Sequence, residues 1–157
     1  MPVRTELGLF FLGFRNYFVA PVIKNLIRLM RVVPVDPASE LVNAMRASSF
    51  IIRHGRSLCI FPEGQRSING EIKDFKKGIG VLAKELGVKL IPVYIEGAFE
   101  AWPRTRRLPR PCPVKIIFGP PAENEKLIGM GYGNGARDDY EAIAIGLRMQ
   151  ILNLRKT

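Results

Sequence analysis

Histidine and cysteine are scarce in this chain: there is one histidine, His54, and there are two cysteines, Cys59 and Cys112. Two cysteines make neither a disulfide framework nor a zinc site, so a fold stapled by covalent or metal cross-links is excluded and no metal ligand set is expected. Cys59 lies inside an apolar run and reads as a small core residue, in a chain suited to a reducing compartment. Long apolar runs are missing as well. The most apolar region, Leu7 to Ile23, is broken by Arg15 and Asn16 and contains Pro21, whereas a membrane span needs about 20 apolar residues in succession. No small-residue cleavage site follows it, so it does not read as a signal peptide. A soluble or peripheral chain is expected. Acidic residues are outnumbered, 14 against 24 basic ones, which leaves a net charge of +10 over 157 residues. That imbalance implies an anionic partner: a membrane surface, a nucleic acid, or phosphorylated and CoA-type small molecules.

The length suits one domain with a sizeable core. Leu9-Phe10-Phe11-Leu12 is expected as a first strand, and Asn16 to Arg31 as a helix with one apolar face. Val32 to Val35 reads as a second strand. Asp36 and Pro37 read as the cap and first residue of a helix whose inward stripe is Leu41, Ala44, Met45, Ser48, Ile51 and Ile52, stopped by Gly55. His54 falls in its last turn, a place favoured by the helix dipole. Ser57 to Phe61 is a third strand, Lys76 to Leu86 a helix ended by Gly87, and Lys89 to Ile95 a fourth strand made irregular by Pro92. Val114 to Phe118 is a fifth strand. The run Gly129 to Gly135 is expected as flexible loop. A last helix begins near Asp138 and Asp139, with Tyr140, Ile143, Leu147, Ile151 and Leu154 on one face. Strands alternating with helices imply an α/β fold with a mainly parallel sheet and flanking helices.

Chemistry concentrates after the third strand. Phe61-Pro62-Glu63-Gly64-Gln65-Arg66-Ser67 ends an apolar run with a proline, then sets a carboxylate, a glycine, a guanidinium and a hydroxyl close together. In open α/β sheets ligands bind beyond the carboxyl ends of strands. Arg66 is suited to grip a phosphate through its planar fork, and Gly64 to let backbone approach a ligand. A second string, Gly78-Ile79-Gly80-Val81-Leu82-Ala83, has dinucleotide-fingerprint spacing, with Glu96 as the distant acid. It does not leave a strand directly, so its glycines are expected to serve close packing of the helix on the sheet. Arg104, Arg106, Arg107 and Arg110, near Phe99 and Trp102, have the electrostatic footprint of a nucleic-acid binder. No recognised nucleic-acid module accompanies them, and no such partner is expected.

The Phe61 to Ser67 string resembles the F-P-E-G-T-R-S block of the glycerolipid acyltransferases, the family that includes lysophosphatidate acyltransferase, with Gln65 in place of threonine. Arg31-Val32-Val33-Pro34-Val35-Asp36 is similar to that family's second block, with Pro37 where an arginine is usual. Leu90-Ile91-Pro92-Val93 is similar to its V-I-P-V block. The resemblance runs from about Leu9 to Pro121. It implies a glycerol-3-phosphate acyltransferase-like fold, and transfer of a fatty acyl group to a hydroxyl of a lysophospholipid or glycerol-phosphate acceptor in phospholipid biosynthesis. It implies acyl-CoA or acyl carrier protein as co-substrate and no cofactor. Carried over, Glu63 and Gly64 shape the acceptor site, Arg66 pairs with phosphate and Ser67 hydrogen-bonds nearby. The family's base belongs to an N-H-x-x-x-x-D block upstream of the second block, and H-x-x-x-x-D occurs nowhere in these 157 residues. No catalytic residue is therefore assigned. The expectation is a single, N-terminally truncated acyltransferase-like domain, inactive alone, cytoplasmic and peripheral at the inner face of an anionic membrane. A non-catalytic phospholipid- or CoA-binding module of the same fold is the alternative, and a basic nucleic-acid-binding protein the remoter one.

Overall fold

In the computed structural model, β1 (Leu9–Phe14) is the middle strand of a three-stranded sheet, between β2 (Val32–Val35) and β3 (Ser57–Cys59). Both pairings are parallel, with Phe11 opposite Val32 on one side and Leu9 opposite Ser57 on the other. The structure describes residues 8–14, 31–35, 41–106 and 108–156. They divide into two compact units, Met1–Phe61 and Pro62–Thr157.

In the first unit the strands are short and apolar almost throughout, the composition usual for parallel strands. Helix α1 (Leu41–Arg53) packs on β2 and β3. Of its expected inward stripe, Ser48 and Ile51 are buried and Ala44, Met45 and Ile52 are half-buried, while the Leu41 side chain is not among those described. The Ser48 hydroxyl donates to the Ala44 carbonyl at 2.7 Å, which satisfies a polar group without solvent. Gly55 ends α1 at φ +68, its N–H bonding Ile52 and that of Arg56 bonding Ile51, the paired closure that favours glycine. His54 sits where expected, with Nδ1 2.7 Å from the Phe50 carbonyl. The third strand stops at Cys59 rather than Phe61, because Ile60 and Phe61 leave the ladder ahead of Pro62. The helix expected over Asn16 to Arg31 lies outside the described residues except for Arg31, which stands at φ +52 just before β2. The cap expected at Asp36 and Pro37 also lies outside them.

The second unit carries α2 (Gly78–Leu86), β4 (Val93–Glu96), the single turn α3 (Ala98–Ala101), β5 (Lys115–Phe118), α4 (Asn124–Tyr132) and α5 (Asp139–Leu154). Its core is α5. Ile143, Leu147 and Ile151 are buried on it, and Leu127 of α4 is fully buried beside it. Each such side chain contributes about 1.5–3 kcal/mol when removed from water. The expected stripe of α5 is confirmed, and its cap is Asp138, which accepts the Glu141 N–H at 3.0 Å.

Three expectations change here. The α/β class with a parallel sheet holds, but β5 pairs with β4 antiparallel, Val93 opposite Phe118. The connection holds only α3 instead of a full crossover helix, so the chain returns alongside β4 in the opposite direction. The run Gly129 to Gly135 is loop only from Gly133 onward. It is helix through Tyr132, because a Cβ on Gly131 would lie 2.2 Å from the Ala142 carbonyl oxygen, so glycine lets α4 and α5 touch. Gly80 also serves close packing, but against α5 instead of the sheet: a Cβ there would lie 2.0 Å from the Tyr140 carbonyl oxygen. Pro92 makes the irregularity expected of it. The ladder starts after it, and its buried carbonyl accepts the Gly119 N–H at 2.8 Å.

Candidate functional site

The loop that follows β3 is closed on itself at its neck. The Lys76 N–H donates to the Pro62 carbonyl at 2.8 Å, and just inside it Glu63 Oε2 accepts the Lys73 N–H at 2.9 Å. A smaller turn is nested at the far end. The Ser67 hydroxyl accepts the Gly70 N–H at 2.9 Å and donates to the Glu71 carbonyl at 3.0 Å, while Asn69 Oδ1 accepts the Glu71 N–H at 3.1 Å. Surface loops closed in this way are held by their own polar groups.

Helix α5 fixes this loop from outside. Arg148 donates from Nε to the Lys73 carbonyl and from Nη2 to the Ile72 carbonyl, both at 3.0 Å. Arg155 pairs with Glu71 at 2.8 Å and, through that hydrogen bond first and its charge second, holds the Glu71 carboxyl below the ordinary range. Two residues near the carboxyl end of the chain therefore set the shape of a loop that begins at Pro62.

Glu63, Gly64, Arg66 and Ser67 all lie on this one loop, with unlike duties. Glu63 and Ser67 are half-buried and spend their polar atoms on backbone groups of the loop. Gly64 stands at φ +72, with nothing nearer a Cβ than the Lys76 side chain at 3.6 Å, so its requirement is conformational and not steric. Arg66 is exposed. Its guanidinium carbon lies 5.0 Å from the Trp102 ring centroid, and Nη1 donates to the Trp102 carbonyl at 3.3 Å. Among the described residues no carboxylate pairs with it. A guanidinium laid against a ring keeps the in-plane N–H donors not spent on the Trp102 carbonyl for another ligand.

Trp102 is the member that sequence reasoning did not assign to the site. It lies 36 positions from Arg66, and no local pattern links the two. The arrangement can bind an anion. Glu63 is not placed as a free base, since its carboxylate accepts Lys73, and burial pushes the Cys59 thiol up, away from a reactive thiolate. Among the described residues no three His, Cys, Asp or Glu side chains gather as a metal site, and no helix is long and apolar enough to cross a membrane.

An exposed arginine on a glycine-bearing loop after a parallel strand agrees with the motif's expected setting, and comparison with known proteins assigns the class. Residues 4–96 match the Acyltransferase family model, more than half of the chain, and the chain belongs to that family. Within the family it is similar to lysophosphatidate acyltransferases. It is 34% identical over 96 residues to a chloroplastic 1-acyl-sn-glycerol-3-phosphate acyltransferase of Brassica napus, covering 59% of this chain and 28% of that one. Against the Arabidopsis thaliana chloroplastic enzyme of the same name it is 33% identical over 96 residues, 59% of this chain and 27% of that one. Against the Limnanthes douglasii 1-acyl-sn-glycerol-3-phosphate acyltransferase it is 30% identical over 108 residues, 67% of this chain and 38% of that one. The matched part thus amounts to between 27% and 38% of these relatives' lengths. The fold matches the crystal structure of the 1-acyl-sn-glycerophosphate acyltransferase PlsC from Thermotoga maritima, with a TM-score of 0.68 and 21% identity, over 95% of this chain and 56% of that one.

Proposed function

We propose that the Pro62 to Lys76 loop holds the phosphate of a lysophosphatidate or glycerol-phosphate acceptor, for acyl transfer from acyl-CoA or acyl carrier protein. Arg66 grips the phosphate, Gly64 gives the backbone its left-handed turn, and Glu63 and Ser67 keep the loop in shape. The observation that carries this reading is Arg66 itself: exposed, laid on Trp102, and paired with no carboxylate among the described residues. A phosphate supplies the two acceptor oxygens that the guanidinium fork matches. In the transfer, the acceptor hydroxyl gives up its proton to a base as its oxygen attacks the thioester carbonyl, and the thiolate leaves. The H-x-x-x-x-D block that supplies that base in the family is not in these residues, and turnover by them alone is expected to be negligible. The acceptors are amphiphiles, and the net charge of +10 favours work at an anionic membrane surface on the cytoplasmic side.

Calorimetric titration with glycerol-3-phosphate and with a short-chain lysophosphatidate tests the acceptor site. Arg66→Ala is expected to weaken both about ten-fold or more, the loss of a charge-assisted hydrogen-bond pair. Unchanged affinity would remove Arg66 from the site. One other reading is a non-catalytic phospholipid- or CoA-binding module of the same fold. Binding of CoA that ignores glycerol-3-phosphate and is indifferent to Arg66→Ala would support it.

A further inference from the structure

We infer that the loop from Ala101 to Arg110 is the surface by which this protein docks on an anionic lipid bilayer, with Leu108 and Trp102 entering the headgroup region and Arg104, Arg106 and Arg110 engaging lipid phosphates. This rests on the reading of the chain as one that works at a membrane surface, and it assigns that contact to a particular place.

The ends of the loop are tied together. The Arg110 N–H donates to the Ala101 carbonyl at 2.8 Å and the Arg110 Nε to the Glu100 carbonyl at 2.7 Å, which brings its ends together. The Trp102 indole N–H donates to the Arg106 carbonyl at 3.1 Å across the ring, and the Arg106 N–H to the Pro103 carbonyl at 3.1 Å. Pro103, Pro109 and Pro111 restrict the backbone further. In this loop Leu108 is 77% exposed and Trp102 46% exposed.

Its charge is left uncompensated. Three arginines elsewhere in the second unit have a carboxylate partner: Arg137 with Glu141, Arg148 with Asp74, and Arg155 with Glu71. Among the described residues Arg104, Arg106 and Arg110 have none, nor does the neighbouring Arg66. The polar contacts of Arg110 and Arg66 go to backbone carbonyls, which leave the positive charge in place. Residues 101–111 hold no acidic side chain at all. Basic side chains around an exposed leucine and an indole are the pattern of a surface that binds headgroup phosphates and buries apolar groups at the acyl boundary. A nucleic acid would use the arginines but has no use for Leu108, and Arg66 already covers the Trp102 face on which a base would stack.

Trp102 is the only tryptophan, so its emission reports on this loop alone. The experiment uses the 157-residue chain and vesicles of phosphatidylcholine with and without phosphatidylglycerol, free of lysophospholipid, with binding read by sedimentation and by Trp102 fluorescence. Expected are binding to the anionic vesicles, a blue shift of the emission, and weakening by salt. At roughly five-fold per charge, the double variant Arg104→Gln/Arg106→Gln weakens binding about 25-fold, and Leu108→Asp weakens it about ten-fold. All three side chains are exposed, and an unchanged melting temperature verifies the fold. Vesicle binding that ignores both variants and leaves the emission unshifted would overturn this docking surface while leaving the membrane reading intact. No vesicle binding, with or without salt-sensitive binding to duplex DNA, would overturn both.

Discussion

Arg66 and Trp102 form a two-point contact: the guanidinium carbon lies 5.0 Å from the indole ring centroid, and Nη1 donates to the carbonyl oxygen of that same Trp102 at 3.3 Å. Ring and carbonyl together restrict a long, otherwise free side chain. If the loop holds an acceptor phosphate as proposed, Trp102 is a positioning residue for it. An exposed cation–π contact contributes about 0.5–1 kcal/mol, so Trp102→Ala is expected to weaken glycerol-3-phosphate binding about three- to five-fold, and Trp102→Phe to recover part of the loss. Calorimetry on the three proteins checks it. Equal affinity in all three would mean that Arg66 binds without its platform.

Glu63 is expected to matter for the loop rather than for charge at the ligand. Removing its carboxylate leaves the half-buried Lys73 N–H without its acceptor, which costs about 1–3 kcal/mol. Glu63→Ala should lower the unfolding midpoint and speed hydrogen exchange at the Lys73 amide, whereas Glu63→Gln, which keeps an acceptor oxygen, should do much less of both. Equal effects of the two changes would argue for the charge.

Neighbouring glycines of α4 should respond with opposite signs. Gly129 has nothing within 4 Å of an added Cβ, so Gly129→Ala gains about 0.5–1 kcal/mol from helix propensity. Gly131 faces the Ala142 carbonyl oxygen at 2.2 Å, and Gly131→Ala should lose about 1–3 kcal/mol through forced separation of the helices. Urea unfolding of both variants decides it. A stabilising Gly131→Ala would mean that α4 and α5 do not touch there.

Acid should weaken the second unit through its carboxylates. The Arg137 side chain, and after it the Arg137 N–H, hold the Glu141 carboxyl down from 4.5 to about 2. Asp138 and Asp139 are held low by the Lys77 and Lys84 contacts in the same way. A lowered carboxylate contributes its stability at pH above its ordinary value and loses it as pH falls toward its folded value. The melting temperature should therefore fall as pH drops from 4.5 toward 2, and more gently in Glu141→Gln. Parallel decline in the two proteins would exclude Glu141 as a source.

What the sequence makes legible is what short range decides. Gly55 and Gly87 stop their helices where expected, Asp138 caps α5, and Pro62-Glu63-Gly64-Gln65-Arg66-Ser67 marks the loop and the family. The rest depends on partners far along the chain. Gly131 reads as a helix breaker until α5 is known to press against it, and the direction of β5 depends on where the chain from Gly97 to Val114 returns. In the site, Arg66 and Gly64 could be picked out by residue type. Nothing near Glu63 or Ser67 in sequence reveals that backbone groups of their own loop occupy them, and nothing near Arg66 points to Trp102.

The grip of Arg148 and Arg155 on residues 71–73 bears on how the protein is made. Synthesis runs from the amino end, and early segments begin to fold first. The Pro62 loop is complete as a chain once Lys76 has emerged, yet both of its outer clamps lie on or just after α5, more than 70 residues later. A nascent chain stalled before Arg148 carries the whole motif without the groups that set its shape. The loop's outer clamps thus engage only after α5 has emerged, well behind the motif whose shape they set.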